Sequence, residues 1–241
     1  MPNGANGPTG GFDFTGQMRW LCDDIARRHP AMRHIDMSRV AIRFSWIRKA
    51  NSRYRLLGNL TPLRFSGGRQ WTVRNGRRWR VEPIYDITGR EMLYLLTFYL
   101  PRFFDRTFRE KLTLIFHELW HISPDFDGDV RRFAGRCYVH GPSRKSFNRE
   151  AARMANQWLA LRPPLPLYLF LYCNFQQLVD QYGTVYGTRI PNPKLVPEDE
   201  PLRPRLTIPP TTLWPTGALA AAGHSSEPHA GQPGESKGAT G

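Results

Sequence analysis

The sequence predicts an α+β domain, because strand-like and helical patterns both occur along its central part, while the two ends have a different composition. Of the 241 residues, 40% are hydrophobic, which is enough for one packed domain of ordinary size. Residues 1–16 are rich in Gly, Pro and Asn, and residues 191–241 are rich in Pro and then in Ala, Gly and Ser. We expect residues 1–16 to be disordered and residues 191–241 to be a disordered tail that is partly laid on the domain at its start. The predicted domain is therefore residues 17–190.

The first half of this domain is expected to contain one helix and several extended segments. Apolar residues at helical spacing predict a helix over 17–29, which Pro30 ends. Alternating apolar and polar residues predict a strand over 39–48, and a second extended segment is expected over 53–65. The Asn-Gly pair in the middle of 71–81 predicts a β-hairpin, because Asn-Gly favours a type I′ turn.

The second half is expected to be mainly helical. An apolar run over 91–100 fits a helix or a buried strand equally well, since periodicity does not separate the two. Helices are predicted over 105–122 and 146–161, and another apolar element over 166–190. Together with the strands of the first half, these segments predict a small antiparallel sheet packed on the helix at 105–122.

The motif HExxH, formed by His117, Glu118 and His121, lies in the helix predicted over 105–122. Residues four apart share one helix face and lie about 6 Å apart along the axis, at roughly 1.5 Å rise per residue. Both imidazoles can therefore bind one zinc ion at about 2.0–2.1 Å. Glu118 lies beside the open coordination position, where a carboxylate can take a proton from zinc-bound water. Apolar flanks favour a buried helix over a surface helix with an incidental His/Glu pair.

A catalytic zinc site needs a third protein ligand and one open position. His140 is the first candidate, since it follows a turn-rich stretch that can fold back and directly precedes a predicted helix. Asp127 is the second, because Asp can replace His as a ligand, and Glu150 on the following helix is the third. A non-catalytic zinc site would instead fill the fourth position with a protein group such as Cys137 or Asp127.

Hydrolysis also needs a donor for the developing oxyanion besides the metal. Tyr138, Arg131 and Arg132 are candidates by their proximity in sequence. The two arginines are also close to several aspartates, and ion pairing with these is the favoured interpretation.

The formal net charge of +14 favours anionic partners such as nucleic acid or acidic substrates. Much of the excess is Arg spread along the chain, so a basic solvated surface is the alternative interpretation. Basic and aromatic residues alternate in and beside the predicted hairpin, a combination that can pair phosphates and stack bases. The basic residues are Arg64, Arg69, Arg74, Arg77, Arg78 and Arg80, and the aromatic residues are Trp71 and Trp79. The favoured alternative is an exposed hairpin whose tryptophans pack across its two strands.

Cysteine usage and hydropathy predict a cytoplasmic protein that does not span a membrane. There are three cysteines and no CxxC motif, which argues against a disulfide scaffold and favours a reducing compartment. No signal peptide is visible at the N-terminus. The longest apolar runs are roughly nine residues, whereas a membrane-spanning helix needs about 20. The sequence indicates no particular oligomeric state.

The stretch HELWHISPDFDGDVRRFAGRCYVHG resembles the phage-type metallopeptidases, an HExxH family found in phage, bacterial and archaeal genomes. The upstream segments LTPLRF and REMLYLLTFYLPRFF belong to the same resemblance, which covers about residues 17–195. More distantly, the chain is similar to the SprT-like zinc proteases, in which a His-Gly-Pro segment opens the next helix, as residues 140–142 would here.

The resemblance implies a minimal zincin-like fold and a zinc-dependent metallopeptidase. It implies His117, His121 and His140 as zinc ligands and Glu118 as catalytic base. The implied substrate is a protein or peptide, for which the strand at 39–48 or the hairpin offers an edge for strand addition. SprT-like proteases act on proteins attached to DNA, so the implied activity is compatible with DNA binding.

Overall fold

The computed structural model describes residues 10–47, 56–134 and 139–201, together with the backbone of 207–208. Within these ranges the protein is an α+β structure, as predicted. The helices are α1 (Phe14–Arg28), α2 (Phe108–Trp120), α3 (Arg144–Ala160) and α4 (Phe175–Tyr182). The strands are β1 (Phe12–Asp13), β2 (Val40–Trp46), β3 (Gly58–Pro62), β4 (Trp71–Arg74), β5 (Arg77–Val81), β6 (Tyr85–Asp86), β7 (Tyr94–Leu100), β8 (Val185–Tyr186), β9 (Leu195–Pro197) and β10 (Thr207–Ile208).

The central sheet has the order β2-β7-β3 and is mixed. Strand β3 is antiparallel to β7, whereas β2 is parallel to it along its whole length. The expectation of an antiparallel sheet therefore needs correction for β2. Antiparallel neighbours can be joined by a tight turn, but parallel neighbours need a long crossover. Here the chain between β2 and β7 passes through β3 and the hairpin before it returns.

Strand β7 lies in the middle of this sheet and is covered on both faces, so the ambiguous run at 91–100 is a buried strand. Leu96 faces the main core under the helices, whereas Leu95 faces a smaller apolar cluster with Leu63 and Ile190. A strand buried on both faces has a continuous apolar sequence without alternation. That is why its periodicity did not distinguish it from a helix.

The main core is built around the ring of Phe14, the first residue of α1 and fully buried. Its ring makes edge-to-face contacts with five other phenylalanines at centroid distances of 5.6–6.5 Å. Phe12 in β1 is buried as well. Packed structure therefore begins before residue 17, inside the segment predicted as a tail, while residues 1–9 lie outside the described residues.

The predicted hairpin is confirmed as β4 and β5, with positive φ at both Asn75 and Gly76 as a type I′ turn requires. A third strand, β9, pairs with β5. Strand β9 lies near the start of the segment predicted as the C-terminal tail, where part of the tail was expected to lie on the domain. Among the described helices, none has both the length and the apolar character needed to cross a membrane.

Candidate metal centre

The centre is built on the C-terminal half of α2, which the sequence directs into the core. A capping box fixes the start of the helix: the Thr107 side chain accepts from the backbone N–H of Glu110, and the Glu110 side chain accepts from the backbone N–H of Thr107. Ten residues later the helix buries His117 and Glu118, and it ends at His121, which is also buried. The predicted helix over 105–122 is thus confirmed with slightly shorter bounds.

Helix α3 packs against α2 and brings the third histidine to the first two. The rings of Phe116 on α2 and Trp158 on α3 are 6.3 Å apart, and both are fully buried. This contact anchors the helix that begins just after the turn containing His140. The predicted ligand is therefore brought to the centre by packing between helices, which acts at long range in the sequence.

The three histidines form one compact group. The Nε2 atoms of His117 and His121 are 3.1 Å apart, and the ligand atoms of all three residues, His140 included, lie within 4.8 Å of one another. Two nitrogens bound tetrahedrally to one zinc ion at about 2.0–2.1 Å would be about 3.3 Å apart. The donor set and its spacing therefore fit a single metal ion.

One aromatic ring supports all three imidazoles. Phe147 on α3 is buried, and its ring centroid lies 4.8 Å from that of His117, 4.6 Å from that of His121 and 5.2 Å from that of His140. It is stacked on His121, whose Nδ1 is buried without a hydrogen-bond partner among the described residues. Metal-binding histidines are usually oriented by a hydrogen bond from the second nitrogen. For His121, ring stacking supplies that orientation instead.

Burial keeps these histidines in the neutral form that binds metals. It lowers the pKa of His117 to about 4, although a hydrogen bond between His117 and the side chain of Asn148 acts in the opposite direction. It lowers the pKa of His121 to about 3, with further lowering by the neighbouring His117. The pKa of His140 is also lowered, first by burial and then by the positive charge of Arg144. The three imidazoles are therefore uncharged at neutral pH.

The carboxylate of Glu118 is buried against the edge of the central sheet. Its Oε2 accepts a hydrogen bond from the backbone N–H of Leu60 in β3, at 2.9 Å. A methyl group at Gly58 would lie only 3.2 Å from Cγ of Glu118, so the glycine leaves room for this side chain. Burial raises the pKa of Glu118 to about 7, although the Leu60 hydrogen bond lowers it in part.

The alternative third ligands lie away from this group. Asp127 accepts a hydrogen bond from the backbone N–H of Asp129 at 3.0 Å, and Glu150 forms an ion pair with Arg153 on the surface of α3. Neither belongs to the metal-binding group found among the described residues. Cys137, the other candidate for a protein-filled fourth position, lies outside the described residues.

The arginines proposed as oxyanion donors are engaged elsewhere. Arg131 lies 3.6 Å above the ring of Trp120 and donates to the backbone carbonyl of that residue. Arg132 forms a two-pronged ion pair with Asp129, which agrees with the favoured interpretation of its charge. Tyr138, the remaining candidate, lies outside the described residues.

Sequence reasoning missed two polar residues of α3 that adjoin the histidines. Asn148 hydrogen-bonds to His117, and the charge of Arg144 acts on all three histidines. A local signal for Arg144 exists: it is the first residue of α3, where the helix dipole disfavours a cation. An unfavourable residue at a helix start is an indication that it has a role outside the helix.

The basic hairpin is partly neutralised by the chain that follows β9. Arg77 forms an ion pair with Asp199 at 2.8 Å, and Arg78 approaches Glu198 at 3.5 Å. The Arg78 guanidinium also lies 4.3 Å from the centre of the Trp71 ring. These contacts use part of the charge on which the predicted DNA binding depends, and DNA binding stays a prediction.

An α+β domain with a helix-borne HExxH motif, and a third histidine ahead of the next helix, defines a candidate metalloprotein of the HExxH class. The model of the family described as "putative phage metallopeptidase" matches residues 17–161, more than half of the chain. The chain belongs to this family, which confirms the resemblance noted in its sequence. No curated protein and no solved structure matches the chain. The more distant similarity to SprT-like proteases stays a prediction.

Proposed function

We propose that the protein is a zinc-dependent metallopeptidase in which His117, His121 and His140 hold the metal and Glu118 is the catalytic base. One observation carries the proposal: a carboxylate that follows the first histidine is buried beside the histidine group and held at a sheet edge. A purely structural metal site has no use for a base at this position. The preference for zinc follows from the three imidazole donors.

The chemistry is divided between the metal and Glu118. When bound, zinc acts as a Lewis acid that polarises the scissile carbonyl and lowers the pKa of water to about 7. Glu118 takes the proton of the attacking water on its carboxylate and returns it to the leaving amine. In the metal-free protein, burial raises the pKa of Glu118 to about 7. The charge of a bound metal would lower that pKa and so favour the carboxylate form.

The substrate is proposed to lie along the free edge of β3. Where β3 pairs with β7, Leu57 and Leu63 at the two ends of β3 form backbone hydrogen bonds to the neighbouring chain. Hydrogen-bonded residues alternate in an antiparallel pair, so the polar groups of Gly58 and Leu60 point away from β7. The Leu60 N–H binds Glu118. Within the described residues the Gly58 N–H and both carbonyls have no hydrogen-bond partner, so they are proposed to bind an extended peptide. From the sequence, the expected edges were the strand at 39–48, which is β2, and the hairpin. The edge proposed here is β3 instead, because it lies beside Glu118.

The alternative is a nucleic-acid-associated protein with a non-catalytic zinc site. It rests on the basic hairpin, whose Arg77 and Arg78 remain more than half exposed despite their ion pairs, at 52% and 57%. Its test is the salt dependence of DNA binding with Arg77, Arg78 and Arg80 replaced by Ala. Each lost phosphate contact should reduce the slope of log K against log salt by about 0.9. Unchanged DNA binding in this variant would show that the hairpin is not the DNA-binding surface.

The first experiment is metal content by elemental analysis, on the wild type and on His117→Ala, His140→Ala and Asp127→Ala. We expect about one zinc per wild-type chain, lost in both histidine variants. Asp127→Ala is the control and should keep the metal. A folded wild type without stoichiometric metal would refute the proposal.

The second experiment separates catalysis from metal binding. Glu118→Gln should keep one zinc per chain and lose hydrolysis of fluorescently labelled, unfolded casein by about 10²–10⁴-fold, the usual contribution of a general base. Circular dichroism shows whether the variant is folded. Retained hydrolysis in a zinc-loaded Glu118→Gln protein would remove Glu118 from the mechanism.

A further inference from the structure

An open cavity of about 350 Å³ adjoins the histidine group. His117 forms part of its wall, and so does Leu57, the residue directly before β3. The cavity therefore touches both the metal centre and the start of the sheet edge along which a substrate is proposed to lie. Its volume is at the small end of the range for ligand pockets and suits a side chain rather than a cofactor.

Three arginines dominate the charge of this cavity. Arg106, Arg109 and Arg144 all line it, against one carboxylate, that of Glu110. Glu110 is already engaged, since its Oε2 accepts from both the backbone N–H and the hydroxyl of Thr107 at 2.9 Å. Its ion pair with Arg106 is long, at 4.0 Å. The cavity is thus strongly electropositive before any metal is bound.

Two of the arginines keep their full charge available. Arg109 donates to the neutral amide of Asn156 at 2.7 Å, which orients the guanidinium without neutralising it. Within the described residues, no carboxylate pairs with Arg109 or Arg144. Arg144 lines the cavity together with His117, which places its charge beside the centre.

The helix starts disfavour cations at these positions. Arg109 is in the first turn of α2, and Arg144 is the first residue of α3. A cation at a helix N-terminus is disfavoured by the helix dipole. An anion in the cavity would reverse that effect, because it interacts favourably with the arginines and with both helix starts.

We propose that this cavity is the specificity pocket of the enzyme and binds the carboxylate of an Asp or Glu side chain next to the scissile bond. This inference rests on the proposed peptidase function and names the substrate class that the function leaves open. Arg109 and Arg144 would be the specificity-determining residues, since guanidinium–carboxylate hydrogen bonds are charge-assisted and directional.

A binding assay tests the pocket independently of turnover. The probes are fluorescein-labelled, C-terminally amidated hexa-alanine peptides with one Glu at each position in turn, against the same peptides with Gln. Binding to zinc-loaded Glu118→Gln protein is followed by fluorescence anisotropy. We expect tighter binding for Glu than for Gln, by about tenfold or more, at one position. Arg109→Gln combined with Arg144→Gln should abolish that difference. Equal binding of Glu and Gln peptides at every position would overturn the proposal.

A control variant and two further ligands identify the source of the anion. Arg149→Gln lies on α3 but outside the cavity wall, and it should keep the preference for Glu. A non-amidated hexa-alanine that binds as well as the Glu peptide would show that the pocket recognises a C-terminal carboxylate instead. An oligothymidine that displaces the Glu peptide, and that needs the same two arginines, would assign the pocket to phosphate. Either result would overturn the proposal.

Cleavage profiling distinguishes failure of the pocket from failure of the peptidase function. A peptide library is digested and the cut sites are read by mass spectrometry. Asp and Glu should be enriched at one position beside the cut, and the enrichment should be lost in the double arginine variant. Cleavage without enrichment of Asp and Glu would refute the proposed pocket but not the proposed peptidase function. If no peptide is cleaved but the binding preference for Glu is present, the peptidase function is refuted and the carboxylate-binding pocket is not.

Discussion

Replacing Phe147 by Leu should weaken metal binding more than it weakens the fold. The ring of Phe147 contacts all three imidazoles at centroid distances of 4.6–5.2 Å. Leu keeps most of the apolar volume, so the free energy of unfolding of the metal-free protein should fall by less than about 1.5 kcal/mol. What the substitution removes is the flat surface on which His121 is stacked.

The expected loss of affinity follows from these three contacts. Aromatic pairs contribute about 0.5–1.5 kcal/mol beyond their buried area. If the ring contributes about 0.5 kcal/mol to the orientation of each imidazole, the total of about 1.5 kcal/mol corresponds to a roughly tenfold higher Kd for zinc. Outer-shell substitutions at metal sites commonly cost 10–100-fold, which is the same range.

The assay is a zinc competition titration against a chromophoric chelator, combined with urea unfolding of chelator-treated protein. Phe170→Leu is the matched control, because Phe170 is a buried core phenylalanine and contacts other phenylalanines rather than the histidines. It should lose similar stability and bind zinc like the wild type. Wild-type zinc affinity in Phe147→Leu, with the stability lost, would refute the role assigned to the ring.

Two further predictions concern buried carboxylates. Burial raises the pKa of Glu118 from 4.5 to about 7 in the folded, metal-free protein, so the folded state binds more protons and wild-type stability falls as pH rises between these values. Metal-free Glu118→Gln should therefore be more stable than metal-free wild type above pH 7, by about 3 kcal/mol, and equally stable below pH 4.5. Urea unfolding at both pH values measures the two free energies of unfolding. A difference between the two proteins that does not depend on pH would contradict the prediction. Asp24→Ala should cost about 1–3 kcal/mol, because it leaves the buried indole N–H of Trp158 without its acceptor at 2.9 Å. Its neighbour Asp23, whose ion pair lies at the surface, should cost less than about 1 kcal/mol when replaced by Ala, and equal losses would contradict the argument.

The parts of this protein that local sequence determines could be predicted from it. The HExxH spacing depends only on helical geometry, and the type I′ turn depends only on Asn75 and Gly76. Both occur as expected. His140 was identified as a candidate because it precedes a helix, but its approach to the other two histidines depends on the packing of α3 on α2, which no local pattern encodes.

The parts that depend on distant segments could not be predicted. The direction of β2 relative to β7 is set by the long crossover between them, and the pairing of β9 with β5 joins residues more than a hundred positions apart. Phe14 stands in a Gly-rich stretch of disordered composition, yet it is buried because aromatic rings from four other segments surround it. A prediction from composition averages over many residues, so it did not detect that the single ring of Phe14 is buried.

The burial of Phe14 has a practical consequence for experiments on fragments. The family match spans residues 17–161, and a fragment cut at those limits would be a natural choice for expression. It would lack the ring at the centre of the aromatic cluster, and also Phe170, which packs against that ring from the other end of the fold. A fragment that contains the buried residues of both apolar clusters starts at or before Phe12 and continues at least through Ile190. The segment that matches the family is therefore shorter than the segment that contains the whole packed core.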